Sequence, residues 1–172
     1  PPSGQYLPLL VKAAAVKALS PAEAARGYPV RLRGLVRYHN PELGVLNLQD
    51  PSGGVFIELK DPAPAPEPGD WIEIEGHSAP GTYPALVRWT RIEAAPPEPL
   101  PPARRLSLSL LDPAVDAGEW MELEGIVHNA YQEGTYTILE VYEGKQKAFL
   151  RLRDSARNAA VQLVDSIIRV QG

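Results

Sequence analysis

The chain has 172 residues, 44% hydrophobic and 22% charged, with a net charge of −4 at neutral pH; this is globular composition and suits one ordinary domain or two small ones. The absence of cysteine excludes disulfides, thiolate metal sites and a cysteine nucleophile. The apolar runs Leu7–Val11 and Ala13–Val16 are far too short to span a membrane. Because the chain opens on Pro1, any leader or anchor is expected outside these residues.

Residues 1–27 read as a lead-in. Within it Ser20-Pro21-Ala22-Glu23 forms a capping box with proline at the first helical position, opening a short helix that stops at Gly27. Val30-Arg31-Leu32-Arg33-Gly34 then alternates apolar and charged residues, the pattern of a strand with one buried face. Leu43–Gln49 and Gly54–Lys60 are predicted strands around the turn sequence Asp50-Pro51-Ser52-Gly53. The proline-rich stretch 61–69 reads as a loop, Trp71-Ile72-Glu73-Ile74-Glu75-Gly76 repeats the strand pattern, and Pro84–Ile92 is a fifth strand.

Residues 96–118 read as a proline-rich linker and lead-in, of which Ala95–Pro102, with Pro96, Pro97, Pro99, Pro101 and Pro102, is expected to form a semi-rigid spacer. Leu106–Leu111 leads into the next segment. Trp120-Met121-Glu122-Leu123-Glu124-Gly125 is a third copy of the strand pattern. Thr135–Tyr142 and Lys145–Arg153 make a hairpin around Glu143-Gly144, and Ser155–Val164 reads as a helix capped by Asp154 or Ser155. Ile167-Ile168-Arg169-Val170-Gln171-Gly172 is the fourth copy.

The four glycines recur at intervals of 42, 49 and 47 residues, which suggests two domains using the motif twice each. A glycine at this position marks a bulge or a bend where a small barrel turns a corner. The expected fold class is therefore all-β with minor helices: two tandem OB-like five-stranded Greek-key barrels, at 28–95 and 119–172. The second is expected to be truncated, without its closing strand. A single sandwich of about nine strands is the competing architecture. The expected core comprises Val30, Leu32, Val36, Leu46, Leu48, Val55, Ile57, Leu59, Ile72 and Ile74 in the first barrel. Met121, Leu123, Val127, Leu139, Val141, Leu150 and Leu152 complete it in the second.

The run Ala18-Leu19-Ser20-Pro21-Ala22-Glu23-Ala24-Ala25-Arg26-Gly27, followed by Val30–Val36, resembles the tandem OB-like extracytoplasmic sensor regions of bacterial histidine kinases and hybrid kinases. Leu46–Asp50, Gly53–Ile57 and Gly69-Asp70 before Trp71 are similar to further strands of that family. The resemblance covers nearly the whole chain through motifs that determine fold. It implies a periplasmic, non-catalytic input region of a membrane-anchored two-component receptor, and it carries over no functional residue.

Candidate chemistry is sparse. His39, His77 and His128 are far apart in sequence; OB topology would let His39 and His77 share a site with Glu42 or Asp50, but exposed loop histidines and no metal are the expectation. Glu73/Glu75 and Glu122/Glu124 lie on outward faces, where carboxylates serve solubility. No catalytic residue and no cofactor are expected. With Leu139, Val141, Ala148, Leu150 and Leu152 inward, alternation sends Tyr136, Ile138, Glu140, Tyr142, Phe149, Arg151 and Arg153 outward. Tyr136, Tyr142, Phe149, Arg151 and Arg153 are the candidate ligand or partner face, since aromatics with arginines on these strands are what OB folds use for ligands; packing is the other role open to them. The equivalent residues of the first barrel, Asn47, Gln49, Phe56, Glu58 and Lys60, make a poorer face. No segment is a basic block, so nucleic acid is not an expected partner. A small ligand, a partner protein or a second copy of the chain is expected instead, with a tandem OB nucleic-acid-binding protein or a protein–protein interaction module as the alternative.

Overall fold

The computed structural model describes residues 6–59, 66–81, 85–153, 160 and 162–172, with Ala114 and Arg153 described by their backbone alone. The chain divides into two compact units: Pro1–Pro102 with Asp112–Trp120, and Ala103–Leu111 with Met121–Gly172. The proline-rich span 96–118 is thus shared between them.

The first unit opens with two short helices, α1 (Ala13–Lys17) and α2 (Pro21–Ala24). The capping box is formed in both directions: Ser20 accepts from the Glu23 N–H, and the Glu23 carboxylate accepts from the Ser20 N–H. Five strands follow, β1 (Pro29–Asn40), β2 (Val45–Asp50), β3 (Gly53–Glu58), β4 (Trp71–Ala79) and β5 (Leu86–Ala94). They close into a barrel in the order β1-β2-β3-β5-β4. All neighbours are antiparallel except β3 and β5, which run parallel at Ile57↔Val87 and Glu58↔Arg88. A five-stranded Greek-key barrel with this order is an OB-fold.

The motif glycines serve close strand crossings. A Cβ at Gly34 would stand 2.3 Å from the Gln49 carbonyl oxygen, and one at Gly76 would stand 2.2 Å from that of Arg88. Leu32, Leu46, Leu48, Ile57 and Ile74 fill the interior. So do Ala13 and Val16 of α1, which packs onto β2, β3 and β5. That helix has no capping side chain of its own. Its first amide donates to the buried Asp50 carboxylate at 2.8 Å and its second to Ser52 Oγ at 3.1 Å, so the β2–β3 turn caps a helix that precedes it by more than thirty residues.

The second unit contains β6 (Arg104–Arg105), a 3-10 turn at Leu108–Leu110, β7 (Met121–Glu133), β8 (Tyr136–Glu143), β9 (Gln146–Arg153) and β10 (Ile167–Gln171). The main sheet order is β10-β7-β8-β9, and β6 runs parallel to the start of β7. This is the β4-β1-β2-β3 order of the first barrel, with no strand between β9 and β10 among the described residues. The chain is thus all-β, with one closed and one open OB-type sheet. Because β1–β5 close into a barrel of their own, in a unit separate from the β6–β10 sheet, a single sandwich is excluded.

Val127, Leu139, Val141 and Ala160 are buried here, with Leu150, Leu152, Leu163, Val164 and Ile168 partly buried against them. Met121 and Leu123, expected in the core, are half-buried, because the end of an open sheet is covered on fewer sides. Most of the expected helix at Ser155–Val164 lies outside the described residues, as do Lys60, most of the loop at 61–69 and the start of the strand expected from Pro84. Among the described residues no helix is long and apolar enough to cross a membrane.

Candidate functional site

Three strands of the second unit present one continuous outer face. Tyr142, Glu140, Ile138 and Tyr136 of β8 pair with Lys147, Phe149, Arg151 and Arg153 of β9. On the other side, Ile126, Asn129, Tyr131 and Glu133 of β7 pair with the same four residues of β8. Alternation from the buried Val127 sends His128 outward, and a bulge between Val127 and Asn129 then turns Asn129 to the same side.

The side chains of this face are interlocked. The His128 and Tyr142 rings stack at 4.3 Å between centroids and 22° between planes. Lys147 Nζ lies 4.6 Å from the Phe149 centroid and 5.9 Å from that of Tyr142, within cation–π range of both. The Arg151 guanidinium donates to Glu133 at 3.1 Å and stands 6.0 Å from the Tyr136 ring. Phe149 remains 53% exposed, Ile126 42% and Tyr131 39%. Of the five residues expected on this face, Tyr136, Tyr142, Phe149 and Arg151 stand on it; Arg153 pairs with Tyr136 along the backbone, and its side chain lies outside the described atoms. Ile138, expected to be open on the same face, is 2% exposed. Alternation sets the direction in which a side chain points, not what lies over it.

Sequence reasoning did not place Lys147 on this face, and read His128 only as an exposed loop histidine. The alternation that sends Phe149 and Arg151 outward also sends Lys147 there, so that residue was readable. His128 was readable too, since it follows the inward Val127; Asn129 was not, because the bulge shifts the phase by one residue.

Beside Tyr142, a groove of about 380 Å³ runs between Ile126, Ile167, Arg105 and Glu143. Its polar rim is fixed: the Glu143 carboxylate accepts from Ser107 Oγ and the Leu108 N–H, which ties the 3-10 turn to the end of β8. Glu124 accepts from Arg169 at 2.9 Å and Arg105 at 3.0 Å. The Arg169 hydrogen bond, then the Arg105 charge, hold its carboxyl below the ordinary range. In the first unit Arg31 does the same for Glu75 by hydrogen bond and charge. Both expected carboxylate pairs are thus engaged in cross-strand ion pairs.

The histidines do not converge. His77 pairs with Pro29 at the start of β1 and His39 lies near its end, roughly 30 Å away along the strand. All three sit in strands and not in loops, and His39 is buried because it closes the end of the barrel wall. Among the described residues no three His, Asp or Glu side chains come together as metal ligands.

No known family model matches this sequence, and no curated protein matches it. Among solved structures it is similar to the S. pombe Stn1–Ten1 complex, at 20% identity over 55% of this chain and 82% of that one, with a TM-score of 0.40. The hypothetical protein ygiW from E. coli is similar at 17% identity over 50% of this chain and 89% of its own, also with a TM-score of 0.40. The telomere capping protein Ten1 from Saccharomyces pombe is similar at 22% identity over 52% and 81%, with a TM-score of 0.37.

Proposed function

We propose that this chain is a non-catalytic binding module that takes a protein partner on the β7–β8–β9 face. The observation that carries this reading is the Tyr142–Lys147–Phe149 cluster, half-open and already ordered by cation–π contacts. Aromatic and arginine side chains of this kind dominate the energetics of protein interfaces, and side chains held in place before binding lose less entropy on docking. The charges on the face are mixed, with Glu133 and Glu140 beside Lys147 and Arg151, which suits a polypeptide better than a phosphate chain.

The test is a photo-crosslinking residue at Phe149, with the exposed Thr90 of the first barrel as control. A defined adduct at 149 and not at 90, whose purified partner binds about thirtyfold more weakly to Tyr142→Ala or Phe149→Ala, is expected from losing roughly 2 kcal/mol at a hot spot. Equal labelling at both positions would overturn the assignment.

A second reading has its own observation. Strand β9 carries Lys147, Arg151 and Arg153 and no acidic residue, next to rings on β8, and OB-folds bind single strands through stacking and cations on these strands. Binding of a labelled oligothymidine that weakens steeply with salt would favour that reading. On the motif resemblance of Ala18–Val36, we further propose that the module is the extracytoplasmic input region of a bacterial receptor. A complete gene product with a membrane span and a kinase core would support this; a stand-alone cytoplasmic protein would refute it.

A further inference from the structure

The corresponding face of the first barrel is covered by the chain's own backbone. Asn47 and Gln49 of β2, expected to point into solvent, are only 6% and 4% exposed. Lying over them is Asp112–Trp120, the segment that returns to the first unit after the chain has left it. It starts with a short helix, α3 (Pro113–Asp116), and then runs on through Gly118, Glu119 and Trp120.

Each of these last three residues has a fitted receiver. Asn47 Nδ2 donates to the Gly118 carbonyl at 3.1 Å. A Cβ at Gly54 would stand 1.8 Å from that same oxygen, and one at Gly118 would stand 2.9 Å from the Asn47 amide and 3.3 Å from the Phe56 ring. Glycine on both sides therefore lets two backbones touch. Glu119 forms an ion pair with Lys17 of α1, whose side chain is 13% exposed. The Trp120 ring lies under the Arg37 guanidinium at 3.9 Å, and Arg37 Nε in turn donates to Gln49 at 2.5 Å.

We propose that the β2–β3 face of the first barrel is a peptide-recognition surface for an extended glycine–acid–tryptophan segment, held closed by Gly118-Glu119-Trp120 of the same chain. Three kinds of chemistry are read at once: a backbone carbonyl by Asn47, a carboxylate by Lys17 and an aromatic ring by Arg37. Gly54 leaves room for the segment's backbone, and the Asn47 amide and Phe56 ring leave none for a side chain at its first position. Because the segment is tethered, its effective concentration is on the order of millimolar, so a free peptide of modest affinity is masked in the intact chain.

The experiment uses a fluorescent peptide spanning Asp112–Met121 and the full chain carrying Glu119→Ala and Trp120→Ala. The peptide is expected to bind this variant at least tenfold more tightly than the unmodified chain, and a peptide with the same two alanines is expected not to bind. Absence of binding to the folded variant, or equal binding to both chains, would overturn the proposal. Should the double variant fail to fold, Lys17→Glu, an exchange outside the barrel core, provides the second arm. It is expected to prefer a peptide with Glu119→Lys by a similar factor, and indifference between the two peptides would overturn the proposal equally.

Discussion

Replacing Gly34 by alanine tests whether the repeated glycines mark contacts or merely backbone freedom. The added Cβ would stand 2.3 Å from the Gln49 carbonyl oxygen, 2.8 Å from its carbon and 3.1 Å from Leu48 Cγ. The first two atoms belong to the backbone of β2, which cannot rotate aside without breaking the Leu35↔Gln49 and Val36↔Leu48 pairing. Overpacking of this kind costs about 1–3 kcal/mol, and the rigidity of the obstacle puts Gly34→Ala near the upper end, at about 3 kcal/mol. Gly27→Ala is the control. Its φ of +71° penalises a side chain, but nothing lies within 4 Å, so its cost is conformational and roughly 1 kcal/mol. Trp71, Trp89 and Trp120, the three tryptophans, all belong to the first unit, so fluorescence-detected unfolding reports on that unit alone. At about 4–8 °C per kcal/mol for a domain of this size, Gly34→Ala should lower the midpoint by roughly 12–24 °C and Gly27→Ala by about 4–8 °C. Equal shifts would refute the claim that a strand crossing is what Gly34 makes room for.

Asp50→Ala removes the acceptor for the Ala13 and Ser52 amides and for the Ser52 hydroxyl; a loss of about 1–3 kcal/mol is expected, read as a lower urea midpoint by tryptophan emission. Glu75 and Glu124 have folded-state pKa values held below the ordinary carboxylate range by their arginine partners. Such groups bind protons more readily in the unfolded chain, so their stabilisation is full above the unfolded-state pKa and is lost as pH falls through the lower, folded-state one. Glu75→Gln combined with Glu124→Gln should therefore flatten the acid side of a stability–pH curve, and an unchanged slope would show that these surface pairs contribute nothing measurable. Phe149→Ser should change unfolding stability by less than about 1 kcal/mol, because the ring is 53% exposed; a larger loss would make it a packing residue and not a binding one.

What could be read from sequence is what local rules encode. Period-two alternation placed Val30, Leu32, Ile72 and Ile74 in the core because a strand's two faces are written into neighbouring positions. The Asp50–Gly53 turn and the Ser20 capping box are likewise short-range chemistry, and both formed. Helix α1 was not legible: Ala13–Lys17 has no cap in its own sequence, and the groups that receive its amides lie at Asp50 and Ser52. The outward turn of Asn129 was hidden for a different reason, since one bulge after Val127 shifts the alternation by a residue.

Trp120 shows how a strong local pattern loses to a distant partner. Trp120-Met121-Glu122-Leu123-Glu124-Gly125 repeats Trp71–Gly76 almost residue for residue. Yet Trp71 is the first residue of β4, whereas β7 begins only at Met121. In β4 the tryptophan pairs with Leu35. In the second copy the ring goes to Arg37 of the first unit, where the guanidinium supplies a contact that a strand end does not. The residue before it is pulled the same way, because Lys17 offers Glu119 an ion pair with little exposure to screening solvent. A repeat therefore predicts where strands recur. Which unit claims the residues at a strand's edge depends on partners that sequence periodicity does not contain.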